Sequence, residues 1–275
     1  MKTRIITALI CLPLFFVVFF LLETPVFTAV LWLLLAVGVH ELLQTAQYGK
    51  KKIITVNCMI FGALIPWFEY PILKPYRSAL VFVFAAILFL ALLRWHEEIR
   101  TEQIAQTFFV STVYPIAFTT MIYIRDQFEP PYSMYYVFLI FACAWLSDAG
   151  AYFAGYFFGK HKMSPKISPK KTVEGLIGGV ITSLIGVALI TLTFGWIVGS
   201  MGIPFTVNYI SLSFASVLAT IIGVFGDLLA SVMKRHNGIK DYGTLLPGHG
   251  GIIDRFDSVF FVAPFMFVWL QVFGI

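Results

Sequence analysis

Long apolar runs alternate with short polar breaks along almost the whole chain. The runs lie at about 5–22, 27–47, 53–69, 77–94, 106–124, 132–158, 173–199, 206–233 and 254–274. Each reaches or approaches the roughly 20 residues that a membrane-spanning helix requires. Several breaks are only a few residues long, as between Glu23 and Val26. This pattern predicts an all-α polytopic membrane protein of about nine transmembrane helices. The opening Met1-Lys2-Thr3-Arg4 before an apolar run imitates a signal peptide. No small-x-small cleavage site follows it, and the run ends at Glu23-Thr24-Pro25, so it is read as a retained first helix.

Composition agrees with the pattern. The 275 residues are 59% hydrophobic and 12% charged, with mean hydropathy +0.88, whereas soluble domains carry about 25% charge. The net charge of +5 then reads as cytoplasmic loops and anionic headgroup contacts, with no nucleic-acid partner. Place the amino terminus inside. Lys2, Arg4, Lys50, Lys51, Lys52, Arg94, Arg100, Lys160, Lys162, Lys166, Lys170, Lys171, Lys234, Arg235, Lys240 and Arg255 then fall on the inner side. Of the 19 Lys and Arg, only Lys74, Arg77 and Arg125 fall outside. The expectation is amino terminus cytoplasmic, carboxyl terminus outside, in the cell (inner) membrane. The two richest polar loops, 159–172 and 234–255, are then cytoplasmic, on the side where nucleoside triphosphates are found. Trp67, Tyr70, Tyr76, Trp95, Tyr132, Tyr135 and Tyr136 lie near predicted helix ends, as interfacial aromatics do. Cys11, Cys58 and Cys143 sit in apolar runs, with no disulfide or zinc spacing.

Polarity is uneven, and this divides the chain. Residues 1–130, helices 1–5, are nearly blank apart from Glu41 beside His40; they suit lipid contact or dimerisation. Residues 131–275, helices 6–9 with both polar loops, place Asp148, Asp227, Asp254 and Asp257 in or at the ends of apolar runs. Ionisable groups at such places are costly and point to function.

Three stretches carry the candidate chemistry. In Ser147-Asp148-Ala149-Gly150-Ala151-Tyr152, continuing to Gly155 and Gly159, helical spacing puts Asp148, Tyr152, Gly155 and Gly159 on one face. The glycines suit close helix packing, while Asp148 is a costly choice if packing were its only task. In the second, Ser168-Pro169 sets a turn before Lys170-Lys171-Thr172 at a helix start, where backbone N–H groups attract phosphate. Glu174 would cap that helix; Lys160, Lys162 and Lys166 read as topology or headgroup charges. The third runs from 227 to 257. Asp227, Ser231, Lys234 and Arg235 form one helical stripe, Lys240-Asp241 and Pro247-Gly248-His249-Gly250-Gly251 form a flexible loop, and Asp254 and Asp257 share the first turn of the last helix. Carboxylates for Mg²⁺, cations for phosphate oxygens and glycines that bare backbone N–H groups are the parts that phosphoryl or nucleotidyl transfer needs. An ordinary polar loop, with Asp254 capping a helix and pairing with Arg255, would not explain Asp227 or His249.

The string Ser231-x-Met233-Lys234-Arg235-x4-Lys240-Asp241-x-Gly243-x2-Leu246-Pro247-x-His249-Gly250-Gly251-Ile252-x-Asp254-Arg255-Phe256-Asp257 resembles the signature of phosphatidate cytidylyltransferases. Ser147-Asp148 through Tyr152, Ser168-Pro169-Lys170-Lys171-Thr172-x-Glu174-Gly175 and the opening Arg4-Ile5-Ile6-Thr7-Ala8 resemble further motifs of that family. The resemblance implies a membrane-embedded homodimer. It implies a Mg²⁺-dependent reaction of CTP with phosphatidic acid, giving CDP-diacylglycerol and pyrophosphate, with K⁺ as a second cation. It implies Asp227 and Asp254 as metal ligands, supported by Asp257. Lys234 and Arg235 then join these carboxylates in catalysis. Ser231, Lys240, His249, Gly250, Gly251, Arg255, Lys170, Lys171 and Asp148 are the expected phosphate-binding set.

Other readings use some of the same residues. A transferase acting on an ether lipid, or a polyprenol or dolichol kinase, needs similar parts. A transporter would bind Na⁺ or H⁺ at buried carboxylates, but its polar residues would be shared between two matching halves. A scaffold gives the glycine–carboxylate–cation loop no purpose.

Overall fold

The computed structural model describes residues 2–45 and 52–275. Residues 46–47 of the second apolar run, and Lys50 and Lys51 among the expected inner cations, lie outside them. Helices are α1 (Lys2–Phe20), α2 (Pro25–Thr45), α3 (Lys52–Leu64), α4 (Arg77–Arg94), α5 (Thr101–Gln127), α6 (Tyr132–Phe158), α7 (Val173–Ser200), α8 (Tyr209–His236), α9 (Ile253–Phe256) and α10 (Val259–Val272). Over its described residues, each predicted apolar run is therefore mostly helical. Among the described residues, six helical segments are long and apolar enough to cross a membrane: Pro25–Gln44, Lys74–Arg94, Thr101–Gln127, Tyr132–Phe158, Val173–Ser200 and Tyr209–His236. Leu9–Phe20, Lys52–Trp67 and Val259–Val272 are shorter apolar helices. Local chemistry shortens two of them. α3 tightens into a 3₁₀ turn at Ile65-Pro66-Trp67, and the last run is broken at Asp257-Ser258.

That break corrects one expectation. Asp254 and Asp257 do not share one helical turn: Asp254 lies in the four-residue α9 and Asp257 in the turn before α10. The all-helical expectation also has one exception. β1 (Lys162–Ser164) and β2 (Ser168–Thr172) form an antiparallel ribbon, pairing Lys162 with Thr172 and Ser164 with Ser168. Pro165 in the turn and Pro169 on a two-stranded edge are places where the missing N–H costs little. Lys170 and Lys171 are thus strand residues, and the helix begins after Thr172.

The chain packs as two units, Met1–Ile122 with His236–Phe256 and Tyr123–Arg235 with Asp257–Ile275. The 236–256 loop is in the same unit as the amino-terminal helices. In the first unit, Leu35, Leu43, Ile54, Phe84 and Leu88 are fully buried, and Phe61 stacks on Phe84 with ring centroids 3.9 Å apart. In the second, α6 and α7 pack through small residues. A side chain at Gly150 would strike Thr182, one at Gly178 would strike Ala154, and one at Gly175 would meet the Ala151 carbonyl. The glycines let the two backbones approach, as in membrane helix pairs. Ser183 and Ser216 hydrogen-bond between α7 and α8 at 2.9 Å. Tyr135 and Tyr136, expected at the interface, are buried instead, and the Tyr135 hydroxyl meets Thr191 at 2.6 Å. Apolar side chains such as Leu9, Phe20, Phe82, Leu93 and Trp196 are exposed, which suits contact with acyl chains.

Candidate active site

Each unit carries its own cluster of the predicted residues. In the second unit, Asp227 on α8 is the centre. Its Oδ2 lies 2.6 Å from Lys171 Nζ, and its Oδ1 accepts a long hydrogen bond of 3.5 Å from Ser231 Oγ, one turn onward. Lys171 also donates to the Val224 carbonyl at 3.3 Å. The Lys171 and Asp227 side chains are only 18% and 29% exposed, so this ion pair is largely withdrawn from water. Asp148 on α6 accepts from Ser258 Oγ at 3.0 Å, and Asp257 Oδ1 accepts from Ser258 N–H at 2.9 Å.

The charges of these groups are felt at Asp257. The negative charges of Asp227 and Asp148 and the positive charge of the Lys234 ammonium all act on its carboxyl group. Asp148, Lys171, Asp227, Ser231, Lys234 and Asp257 therefore form one electrostatic cluster. Gly226 makes room for it, since a Cβ there would lie 2.8 Å from the Asp257 carbonyl. Lys170 is exposed on the ribbon next to the half-buried Lys171. Arg235 is exposed at the end of α8.

The strand ending in Lys171 is fixed from both sides. Thr172 is the N-cap of α7, its Oγ1 accepting from Gly175 N–H at 3.0 Å. Glu174, expected as the cap, instead accepts from the Lys160 and His161 backbone N–H groups at 3.1–3.2 Å and from the His161 ring at 2.6 Å. It ties the start of the ribbon to the start of α7.

In the first unit the 236–256 loop is built around two buried carboxylates. Asp254 Oδ2 accepts from Tyr242 N–H at 2.8 Å and Gly251 N–H at 2.9 Å. Gly248 and Gly250 have φ of +78° and +86°, a backbone that other residues rarely adopt, and they close a tight turn in which Leu246 N–H reaches the Gly250 carbonyl at 2.9 Å. His249 is half-buried on that turn, and its Nδ1 has no hydrogen-bond partner among the described residues. Lys240 and Arg255 of the same unit are exposed. The second carboxylate is Glu41 of α2, 4% exposed, which accepts from Ile252 N–H and Ile253 N–H at 3.0 Å each. Sequence reading noted Glu41 but gave it no task. Its signal was the one carboxylate within an otherwise apolar helix.

Hard oxygen donors of this kind suit Mg²⁺, which in transfer sites is usually held by one or two carboxylates plus substrate phosphates. Asp227 and Asp257 supply that number in one cluster, with more negative than positive charge around them. Among the described residues, no group of three or more His, Cys, Asp and Glu side chains forms a ready-made cage.

Comparison with known proteins gives the same direction. The model of the "Cytidylyltransferase family" matches residues 2–273. A "Phosphatidate cytidylyltransferase" of Bacillus subtilis (strain 168) is 32% identical over 284 residues, covering 100% of this chain and 99% of the relative. Proteins of that name from Staphylococcus haemolyticus (strain JCSC1435) and Staphylococcus aureus (strain COL) are 44% and 43% identical over 137 residues, 50% of this chain and 49% of theirs. Matched by the family from near its first residue to near its last, and by one relative over its full length, this chain belongs to the cytidylyltransferase family.

Proposed function

We propose that the protein transfers the CMP unit of CTP to phosphatidic acid, giving CDP-diacylglycerol and pyrophosphate for phospholipid synthesis. The observation that carries this reading is the half-buried Lys171–Asp227 pair beside Asp257 and Lys234, in a chain whose full-length relative bears the name phosphatidate cytidylyltransferase. An oxygen of the lipid phosphate attacks the α-phosphorus, the α–β anhydride bond breaks, and pyrophosphate leaves with the bonding electrons. The nucleophile is already anionic and needs little general-base help. The barrier lies in bringing anions together, so charge neutralisation is the main task. Lys171 and Lys234 lower the repulsion at the cluster, and the exposed Lys240, Arg255, Arg235 and Lys170 attract phosphate groups. The tight turn through Gly248 and Gly250, with His249, serves phosphate oxygens, while the Gly251 N–H stays on Asp254.

Mg²⁺, when bound, would neutralise the α-phosphate and departing pyrophosphate. Asp227 and Asp257 are its proposed ligands, with Asp254 assigned to the same task by the family resemblance and K⁺ as an accompanying cation. The proposed topology keeps nine spans in the cell membrane, amino terminus and both polar loops cytoplasmic, in a homodimer; the Lys and Arg distribution supports the orientation.

The test is an acceptor panel on purified, detergent-solubilised protein: phosphatidic acid, an ether-lipid phosphate and a polyprenol, each with CTP, with Mg²⁺ or with chelator. Metal-dependent product with phosphatidic acid is expected. Product with the ether lipid or polyprenol alone would move the substrate, and silence with all three from folded protein would sink the transferase reading.

A further inference from the structure

Glu41 lies 211 residues before the nearest residue it binds, far outside the 231–257 string that carries the family resemblance. It is a carboxylate within an apolar helix, so its burial must be compensated. The compensation is specific: its two oxygens accept from consecutive backbone N–H groups, Ile252 to Oε1 and Ile253 to Oε2, at 3.0 Å each. These amides are at the start of α9 and immediately precede Asp254.

The loop is shaped around this carboxylate. A Cβ on Gly243 or on Gly251 would strike the Glu41 carboxylate oxygens, so glycine at both positions is what admits it. The Tyr114 ring packs on Gly38, one turn before Glu41 on α2, and limits the helix face on that side. Asp254 takes the Tyr242 and Gly251 amides, so four loop N–H groups are divided between one carboxylate inside the loop and one outside it.

We propose that Glu41 is a positioning residue for nucleotide binding: it clasps the 236–256 loop through the Ile252 and Ile253 amides and so sets the glycine turn that receives the CTP phosphates. This rests on the transferase reading above. Glu41 touches neither substrate nor metal in this role. Phosphatidic acid binding does not depend on it.

The test compares wild type with Glu41→Gln and Gly243→Ala. The amide of Gln would set an NH₂ group against a backbone N–H, and the alanine methyl would displace the carboxylate. Both are expected to raise the KM for CTP by about tenfold, the scale of one lost charge-assisted hydrogen bond. The KM for phosphatidic acid should change less than about twofold, since its contacts are not those of the clasp. Amide exchange of the peptide covering 250–256 should quicken in both variants while that of 173–183 stays as in wild type. A fall in active protein with both KM values unchanged, or unchanged exchange at 250–256, would overturn the clasp. Wild-type protein inactive toward CTP would overturn the transferase reading, and the exchange comparison would still decide the clasp by itself.

Discussion

Lys171→Met isolates what the half-buried ion pair does. The substitution keeps much of the aliphatic stem and removes the ammonium that stands 2.6 Å from Asp227. Asp227, Asp148 and Asp257 are then left facing Lys234. Two unit charges about 4 Å apart interact by about 4 kcal/mol at an effective dielectric of about 20. The side chains retain 18% and 29% exposure, and solvent screening together with the desolvation of both ions reduces this to a net of about 2–3 kcal/mol. Two consequences of opposite sign follow. Transfer loses a cation that offsets phosphate charge, and kcat falls about 30–100-fold. Mg²⁺ no longer competes with an ammonium for Asp227, so metal binding without nucleotide tightens by about tenfold. The assays are lipid-phase product formation at saturating CTP and a Mg²⁺ titration of the unfolding midpoint in nucleotide-free protein. A kcat within twofold of wild type, or Mg²⁺ affinity that weakens along with it, would refute the reasoning.

Asp254→Ala removes the acceptor of two loop amides and a proposed metal ligand; turnover should vanish while folded, membrane-inserted protein remains, as followed by product formation and size-exclusion profile. Thr172→Ala loses the N-cap of α7 and should lower stability by about 1 kcal/mol, read as a fall in unfolding midpoint. Gly178→Val places a branched side chain where Ala154 already sits and should cost about 1–3 kcal/mol by overpacking, visible as lower yield and midpoint.

The helical runs were legible because each is a nearly uninterrupted apolar segment of spanning length. Close helix packing was legible from Gly155, where an added Cβ would meet Thr172 and Gly175, but nothing in the spacing named α7 as the partner. Local polar bonding was not legible. Asp254 and Asp257 are three apart, and nothing in that spacing announces that the chain breaks at Asp257-Ser258, where Ser258 binds both Asp148 and Asp257. Thr172 and Glu174 are both acceptable caps; the hydroxyl took the N-cap because the carboxylate reaches the Lys160 and His161 amides instead. Tyr135 reads as interfacial from its place near a helix end, but a serine- and threonine-bearing neighbour helix gives its hydroxyl a buried partner. Glu41 was visible as a lone carboxylate, yet its partners are two main-chain amides, which no side-chain pattern encodes.

The central claim is transfer of the CMP unit, and CTP labelled separately at the α- and γ-phosphates tests it most directly. Purified protein is incubated with phosphatidic acid and Mg²⁺, and lipid and aqueous phases are separated. Transfer of the CMP unit puts α-label in the lipid phase and γ-label in pyrophosphate released in equal amount. γ-Label in the lipid phase would mean phosphoryl transfer by a kinase and would contradict it.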